Sequence, residues 1–454
     1  MRSKTRKSQK QKKKIVIDPA WELINPDAAG IDIGSREHWA CVPARSAEKN
    51  VRSFGTFTAD LEALAAWFQQ CGVKTVAMEA TGVYWVPLFQ ILEDRGLEVC
   101  LVNARHVKNV PGRKTDVQDC QWLQYLHSVG LLHASFRPPA AVCAVRALVR
   151  HRDSLVRAGS EHLLRVQKSL DQMNVQLHRA VTDITGETGQ AILCAIINGE
   201  RKPEVLAQHR DHRCKKTVAE IAAALRGDWR PEHLFTLRQS FEAWQYHQKL
   251  IAECETELRK QMDGLADQTK QAAPPKARPD KRCDEKTRQH LFEKFGVDLT
   301  AVDAINLQTA YMFLSEVGPS VDKFESPEHF ASWLGLCPDN RKTGGRQIGV
   351  ATRAVANRLS TALRIAAQSL HRVDSPLGEW FRRMKAKLGA PAATTAAAHK
   401  LARVLYAMIK FHKPYDPARI GNPALRRTRK ENALRRAAKE LGFDLRPIQA
   451  VAVS

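Results

Sequence analysis

Apolar residues recur along this chain with two different periods, and the places where the period changes divide it into segments. Between residues 28 and 140, strand-like runs take turns with helix-like ones, the pattern of an α/β domain. "AGIDIGSREHWACVPA" (29–44) and "NVRSFGTF" (50–57) carry apolar and aromatic residues in strand-like runs and predict a hairpin. "ADLEALAAWFQQCG" sets Leu61, Leu64, Ala65 and Phe68 on one helical face and closes on Gly72 as a C-cap. A strand in "KTVAMEATG", a helix in "YWVPLFQILEDRG", a strand in "LEVCLVNA" and a helix in "KTDVQDCQWLQYLHSVG" complete the segment.

From residue 141 to 267 the strand signals fade. Leu155, Val156, Leu163, Val166, Leu170, Met173 and Leu177 recur at three- and four-residue steps, and a second helical run, "EHLFTLRQSFEAWQYHQKLIAECETELRKQMDGL", is placed to pair antiparallel with the first. The segment predicts a coiled coil or a helical hairpin, used as a spacer or a dimer arm. Residues 268–289, Pro- and Lys-rich without apolar period, predict a linker. A mainly helical domain is expected over 290–415, and the ends, 1–27 and 416–454, are basic tails.

Charge narrows the choice of partner. With 71 Lys and Arg against 48 Asp and Glu the chain carries +23, which favours a polyanion, most often nucleic acid, because phosphate contacts release condensed counterions. The tails read either as solvated ends or as arms along a nucleic-acid backbone, and the basic chain as a whole favours the arms. No run of about 18 apolar residues exists, so no membrane helix is expected. The N-terminus lacks the apolar core of a secretion signal. Ten scattered cysteines without a C-x-x-C spacing read as reduced packing residues, and the expected location is cytoplasmic.

Within this frame one acid is out of place. Asp32 stands between Ile31 and Ile33, and alternation gives its carboxylate the face of Gly30 and Gly34. Alone it reads equally as a strand-end acid paired with Arg or Lys. Glu79 ends a strand just before "ATG", where open α/β sheets place their sites. Asp116 and Asp119 are three apart on a helix and share a face. Four converging carboxylates repel one another unless cations hold them, so the set points to Mg²⁺ or Mn²⁺ acting on a phosphodiester. The order Asp, Glu, Asp-x-x-Asp resembles RNase H-like, RuvC-like nuclease domains. "GIDIGS" also resembles the phosphate loop of sugar-kinase and actin-like ATPases, but the second Gly-rich loop of that fold is missing.

Further on, "FLSEVGP" followed by "FESPEHFASWLGL" reads either as a helix-hairpin-helix approaching a nucleic-acid backbone or as a plain αα-corner. After Pro338, "DNRKTGGR" is a short polar loop with paired glycines, similar to the Ser-rich loop before Gly-Gly in the DEDD insertion-sequence transposases. The resemblance spans nearly the whole chain and implies a RuvC-like domain, a helical coiled-coil middle and a mainly α transposase domain. It implies DNA strand cleavage and rejoining, guided by a bridge RNA that pairs with donor and target, in a homo-oligomer, dimer or tetramer, with the site composed across subunits. Carried over by position, the metal carboxylates are Asp32, Glu79, Asp116 and Asp119. The nucleophilic serine is replaced here by Thr343, which supplies a hydroxyl nucleophile or only a turn and backbone contact. Arg341, Lys342, Gly344, Gly345 and Arg346 form the loop, and Arg353, Arg358 and Arg364 follow in a stretch read as helical; as a cluster they are expected at the double-stranded DNA backbone. Two alternatives remain at this stage: a RuvC-like junction-resolving endonuclease using metal-bound water, and a catalytically inactive nucleic-acid-binding protein.

Overall fold

A computed structural model describes residues 22–80, 82–103, 116–274, 284–338, 341–344, 346–349, 351–353, 355–420 and 423–444. The chain divides into two compact units, Met1–Arg137 and Pro138–Ser454, each described by itself.

The first unit is built on a five-stranded sheet. Strands β1 (Ala28–Ile33), β2 (Glu37–Cys41) and β3 (Val51–Gly55) form an antiparallel meander, while β4 (Thr75–Glu79) and β5 (Glu98–Val102) extend it in parallel, in the order β3-β2-β1-β4-β5. The stretch 29–44 is therefore not one strand but two. Gly34 permits the break, because a Cβ there would lie 2.4 Å from the Glu37 carbonyl oxygen. Helices α1 (Thr58–Gln70) and α2 (Trp85–Asp94) cover one face, where Ile31, Ile33, Val76 and Met78 meet Leu61, Leu64, Phe68, Leu88 and Leu92. The third helix, α3 (Asp116–Ser128), covers the other, with Leu123 packed on Ala77, Cys100 and Val102. This mixed sheet with helices on both faces is consistent with an RNase H-like fold.

The second unit is mostly helical. Two helices of 33 residues, α4 (Ala140–Gln172) and α9 (Pro231–Asp263), run antiparallel. At one end the Cys254 thiol donates to the Leu148 carbonyl and Arg152 pairs with Glu255 at 2.6 Å. Midway, Gly159 lies against His247, its absent side chain allowing a close approach. Between the two helices the chain folds into α5 (Leu177–Ala180), α6 (Glu187–Ile197), α7 (Pro203–Ala207) and α8 (Val218–Ala224). These form a helical cap with its own core of Leu170, Ile192, Leu193, Phe241 and Trp244. The described residues thus give a capped helical hairpin within one chain; they show no coiled coil.

The stretch read as a linker is partly tied down. The Gln268 N–H donates to the Glu293 carbonyl at 2.7 Å, and α10 (Glu285–Phe295) begins inside the stretch, anchored by a buried Arg288–Asp298 pair at 2.6 Å. There follow α11 (Leu307–Glu316), α12 (Pro327–Trp333), the strand pair β6 (Arg341–Thr343) and β7 (Arg346–Gly349), and helices α13 (Arg358–Ser369), α14 (Pro376–Leu388), α15 (Ala390–Phe411) and α16 (Pro423–Glu440). Phe313, Phe324, Phe330, Trp333 and Tyr406 gather into an aromatic core, and the Tyr406 hydroxyl donates to the Phe324 carbonyl at 2.8 Å. Gly318, the turn after α11, lies against Val142 of α4.

Glu316 joins the arm to this domain. Its buried carboxylate accepts two hydrogen bonds from Arg150 Nη2 at 3.0 Å and pairs with Arg146 at 3.4 Å. Glu316→Ala leaves two guanidinium groups facing a buried gap, and because Arg150 is half exposed and can turn to water, the expected loss is about 2–3 kcal/mol. Urea unfolding of the variant beside the parent measures it; an unchanged midpoint would discard the joint as a stabilising contact.

Among the described residues no helix is long and apolar enough to cross a membrane.

Candidate active site

The site is built from strand register outward. In the parallel pair β1–β4, Ile31 lies opposite Met78, so Asp32 and Glu79 are the next positions on two adjacent strands, at their shared C-terminal end. Strand spacing holds the two backbones about 4.8 Å apart there. Ile31, Ile33 and Met78 occupy the α1–α2 face, which by alternation turns Asp32 and Glu79 to the side covered by α3. Both carboxylates are partly buried.

The course of α3 decides whether Asp116 and Asp119 join them. Its C-terminal half is fastened to the beginnings of the strands: His127 Nε2 and the Thr75 hydroxyl are 2.8 Å apart, and Gln124 Nε2 donates to the Ala28 carbonyl at 3.1 Å. The helix therefore runs antiparallel to β1 and β4, and its first turn arrives at the end where Asp32 and Glu79 stand. Asp119, partly buried, lies in that turn. Asp116 opens the helix, and its side chain lies outside the described residues. Next to Asp119 is Cys120, fully buried, whose thiol is pushed up by burial and then by the charges of Cys41 and Asp32.

One residue that the sequence did not single out as functional makes this approach possible. A Cβ on Gly30 would fall 2.3 Å from the Gln124 nitrogen and 2.4 Å from the Cys120 carbonyl oxygen, both backbone atoms of α3. Only glycine lets the helix backbone lie on the strand beside Asp32; a glycine inside a strand pattern was the available signal. Gly30→Ala must push α3 outward, and the expected cost is about 3 kcal/mol. Strand cleavage should fall further than the loss of folded protein explains, since the first turn of α3 shifts with the helix. Thermal melting and cleavage measured on the same sample separate the two; a normal melt with normal cleavage would reject this packing.

The anchor of α3 also sets an acid limit. Burial lowers the His38 and His127 imidazoles from the ordinary 6.5, so both fold as neutral rings. A depressed folded pKa means the unfolded chain takes up the proton first, so stability is full above about pH 6.5 and is lost as pH falls below it. Urea unfolding at pH 7.5 and pH 5.5 should give a lower midpoint at the acid value, with the difference reduced in His127→Asn.

The donor set at this sheet end is carboxylate oxygen, partly buried, which suits Mg²⁺ or Mn²⁺. The nearby Cys41 thiol is pushed up to about 12 by burial and stays protonated, so it does not turn the set toward a thiolate-binding metal. Among the described residues no three His, Cys, Asp or Glu side chains gather closely enough to hold an ion together.

The C-terminal loop is a tight β-hairpin. Thr343 and Arg346 are cross-strand partners flanking a two-residue turn, and Gly344 has φ +51°, the left-handed conformation that such turns require. Thr343 and Gly344 are exposed. Gly345 lies outside the described residues, as do the side chains of Arg341, Lys342 and Arg346. The arginines further on have internal duties. Arg353, outside any helix, donates to the Ser332 carbonyl at 2.9 Å and hydroxyl at 2.8 Å. Arg358 pairs with Asp153 of α4 at 2.8 Å, and Arg364 bonds the Ser360 hydroxyl at 2.7 Å.

Known families match both ends of this arrangement. Residues 29–175 match a family model described as a transposase, the DEDD transposase of IS110 elements, and residues 298–382 match one described as the transposase IS116/IS110/IS902 family. No curated protein is matched by the chain. With the carboxylate-bearing sheet under the first model and the Thr343 hairpin under the second, the chain belongs to the IS116/IS110/IS902 family of transposases, enzymes of DNA transposition.

Proposed function

We propose that the protein cleaves and rejoins DNA strands through Asp32, Glu79, Asp116 and Asp119 together with the Thr343 hydroxyl. The observation that carries this reading is the register that sets Asp32 beside Glu79, with the first turn of α3 brought to the same strand end by Gly30. The four carboxylates would hold Mg²⁺ or Mn²⁺, which when bound supplies charge stabilisation at the scissile phosphate. The chain's own part is to fix the acids on rigid elements: two strand ends and one helix turn, so that they need no rearrangement when DNA arrives.

Thr343 presents its hydroxyl at an exposed hairpin tip. Attack on phosphorus forms a Thr343 Oγ1–P bond and releases one DNA oxygen as the leaving group; a second DNA hydroxyl then displaces Thr343 and rejoins the strands. Arg341, Lys342 and Arg346 are placed by sequence beside the tip, where cations hold a phosphate. Arg353 and Arg358 were expected to do the same; in this structure they bond Ser332 and Asp153.

Guidance by a bridge RNA, and a dimer or tetramer in which one subunit's carboxylates act with another's Thr343, complete the reading. The likeness to the transposases supports both, and the +23 charge suits a nucleic-acid partner. The test is to sequence the RNA that co-purifies with the protein: a discrete structured species supports guidance, and random cellular RNA opposes it.

A further inference from the structure

We propose that the second unit contains a nucleotide-binding cavity, built from residues that the cleavage chemistry does not use. A cavity of about 460 Å³ opens between α4, α9 and the N-terminal ends of α10 and α11. Its apolar lining comes from Val149, Leu258, Met262 and Leu307, and the Tyr311 ring completes it. A volume of this size accommodates a nucleoside with room for its phosphate.

Three cations, Arg152, Arg259 and Lys286, and three acids, Asp153, Glu255 and Asp284, line the cavity. Glu255 is neutralised by Arg152 at 2.6 Å and Asp153 by Arg358 at 2.8 Å, while Asp284 caps α10 through the Thr287 N–H at 3.2 Å. Arg259 bonds only the Glu255 carbonyl of its own helix, at 3.2 Å, and Lys286 makes no ion pair, among the described residues. Both line the cavity beside its apolar floor, outside the ion pair that joins Arg152 to Glu255.

His290 adds a polar contact point. Its Nδ1 lies 3.5 Å from Asp263 Oδ1, and its Nε2 is enclosed without a hydrogen-bond partner among the described residues. A buried ring nitrogen left in this way calls for an outside partner. Burial also pushes the Tyr311 phenol up, so the hydroxyl keeps its proton as a donor. A bare phosphate would leave the apolar floor unused, and a neutral apolar molecule would leave Arg259 and Lys286 unengaged. A nucleotide answers both: a flat base on Leu258, Leu307 and Tyr311, hydrogen-bonded edges near His290, and a phosphate at Arg259 and Lys286.

The chemistry of the cavity stands without the cleavage reading; only the source of the nucleotide, a strand handled by the enzyme or a free mononucleotide, rests on it. The full-length protein, freed of nucleic acid, is irradiated with a single-stranded oligonucleotide carrying one 5-iodo-deoxyuridine, and the adduct is located by mass spectrometry. The expected adduct is on Tyr311 or His290. Leu307→Trp, which fills the cavity, should cut the yield by about tenfold or more, and Lys286→Glu, an exposed and fold-neutral change, by a similar factor. The nucleotide 5-iodo-dUMP is irradiated in parallel: labelling by it assigns the cavity to a free nucleotide, labelling by the oligonucleotide alone assigns it to a strand, and both uphold the site. Asp32→Asn should crosslink like the parent, so failure of the carboxylate reading leaves this result standing. Adducts found only elsewhere, or a yield that neither Leu307→Trp nor Lys286→Glu lowers, overturn the proposal.

Discussion

Asp32→Asn is expected to cut strand cleavage by about a thousandfold or more while leaving the protein folded. The reason lies in the register of β1 and β4. Asp32 and Glu79 occupy neighbouring positions at one sheet end, and a carboxamide keeps the shape of the acid but removes its charge. Without metal the variant should melt at the same temperature as the parent or slightly above it, because two adjacent carboxylates repel each other. With Mg²⁺ the order should reverse: the parent gains stability as the ion binds the folded state alone, by mass action, and Asp32→Asn gains much less. Glu79→Gln should behave alike. The melting shift is read without any DNA, so a defect in DNA binding cannot imitate it. Parent-like cleavage by Asp32→Asn would sink the assignment and favour a nucleic-acid-binding protein without carboxylate chemistry.

Thr343→Ala should abolish the covalent protein–DNA adduct and lower strand exchange by about a thousandfold or more, whereas Thr343→Ser should keep both. Thr343 is exposed at the mouth of a two-residue turn, so neither change disturbs a core. Serine lacks the γ-methyl that restricts χ1, and its hydroxyl reaches more rotamers for in-line attack; an equal or faster rate is the expected result. The adduct is counted after denaturation on labelled DNA. If Thr343→Ala cuts DNA as well as the parent, water is the nucleophile and the junction-resolvase reading takes the place of the one proposed.

The two changes test different parts of the chain. Asp32 sits in the first compact unit and Thr343 in the second, and a mixture of the two inactive variants should regain activity if each subunit supplies one half of a shared site. Recovery in the mixture, measured against each variant alone at the same total concentration, checks the composite arrangement; no recovery opposes it.

Much of the fold was legible because its elements obey simple periods. Each strand and helix expected between residues 28 and 140 is present, since one apolar face per element suffices to predict it. The exceptions are instructive. Residues 29–44 contain a reversal at Gly34 that reading the stretch as one strand-like run passed over, and Arg353 was read into a helix that begins only at Arg358, after the capping residue Asn357. The cap between α4 and α9 was also missed: its short helices read as a continuation of the long pattern because their apolar residues serve a local core that no single period reveals.

The sequence by itself determined the candidate donors: four carboxylates, their order, the strand and helix positions of each, a hydroxyl before paired glycines, and a charge suited to nucleic acid. These are properties of residue type and local spacing. What only the tertiary structure decided is their placement. That Asp32 lies beside Glu79 follows from a parallel strand register, and that α3 brings its first turn to the same end follows from His127, Gln124 and the missing side chain of Gly30. Register and helix direction are set by contacts between residues far apart in the chain, and such contacts leave no mark in local periodicity.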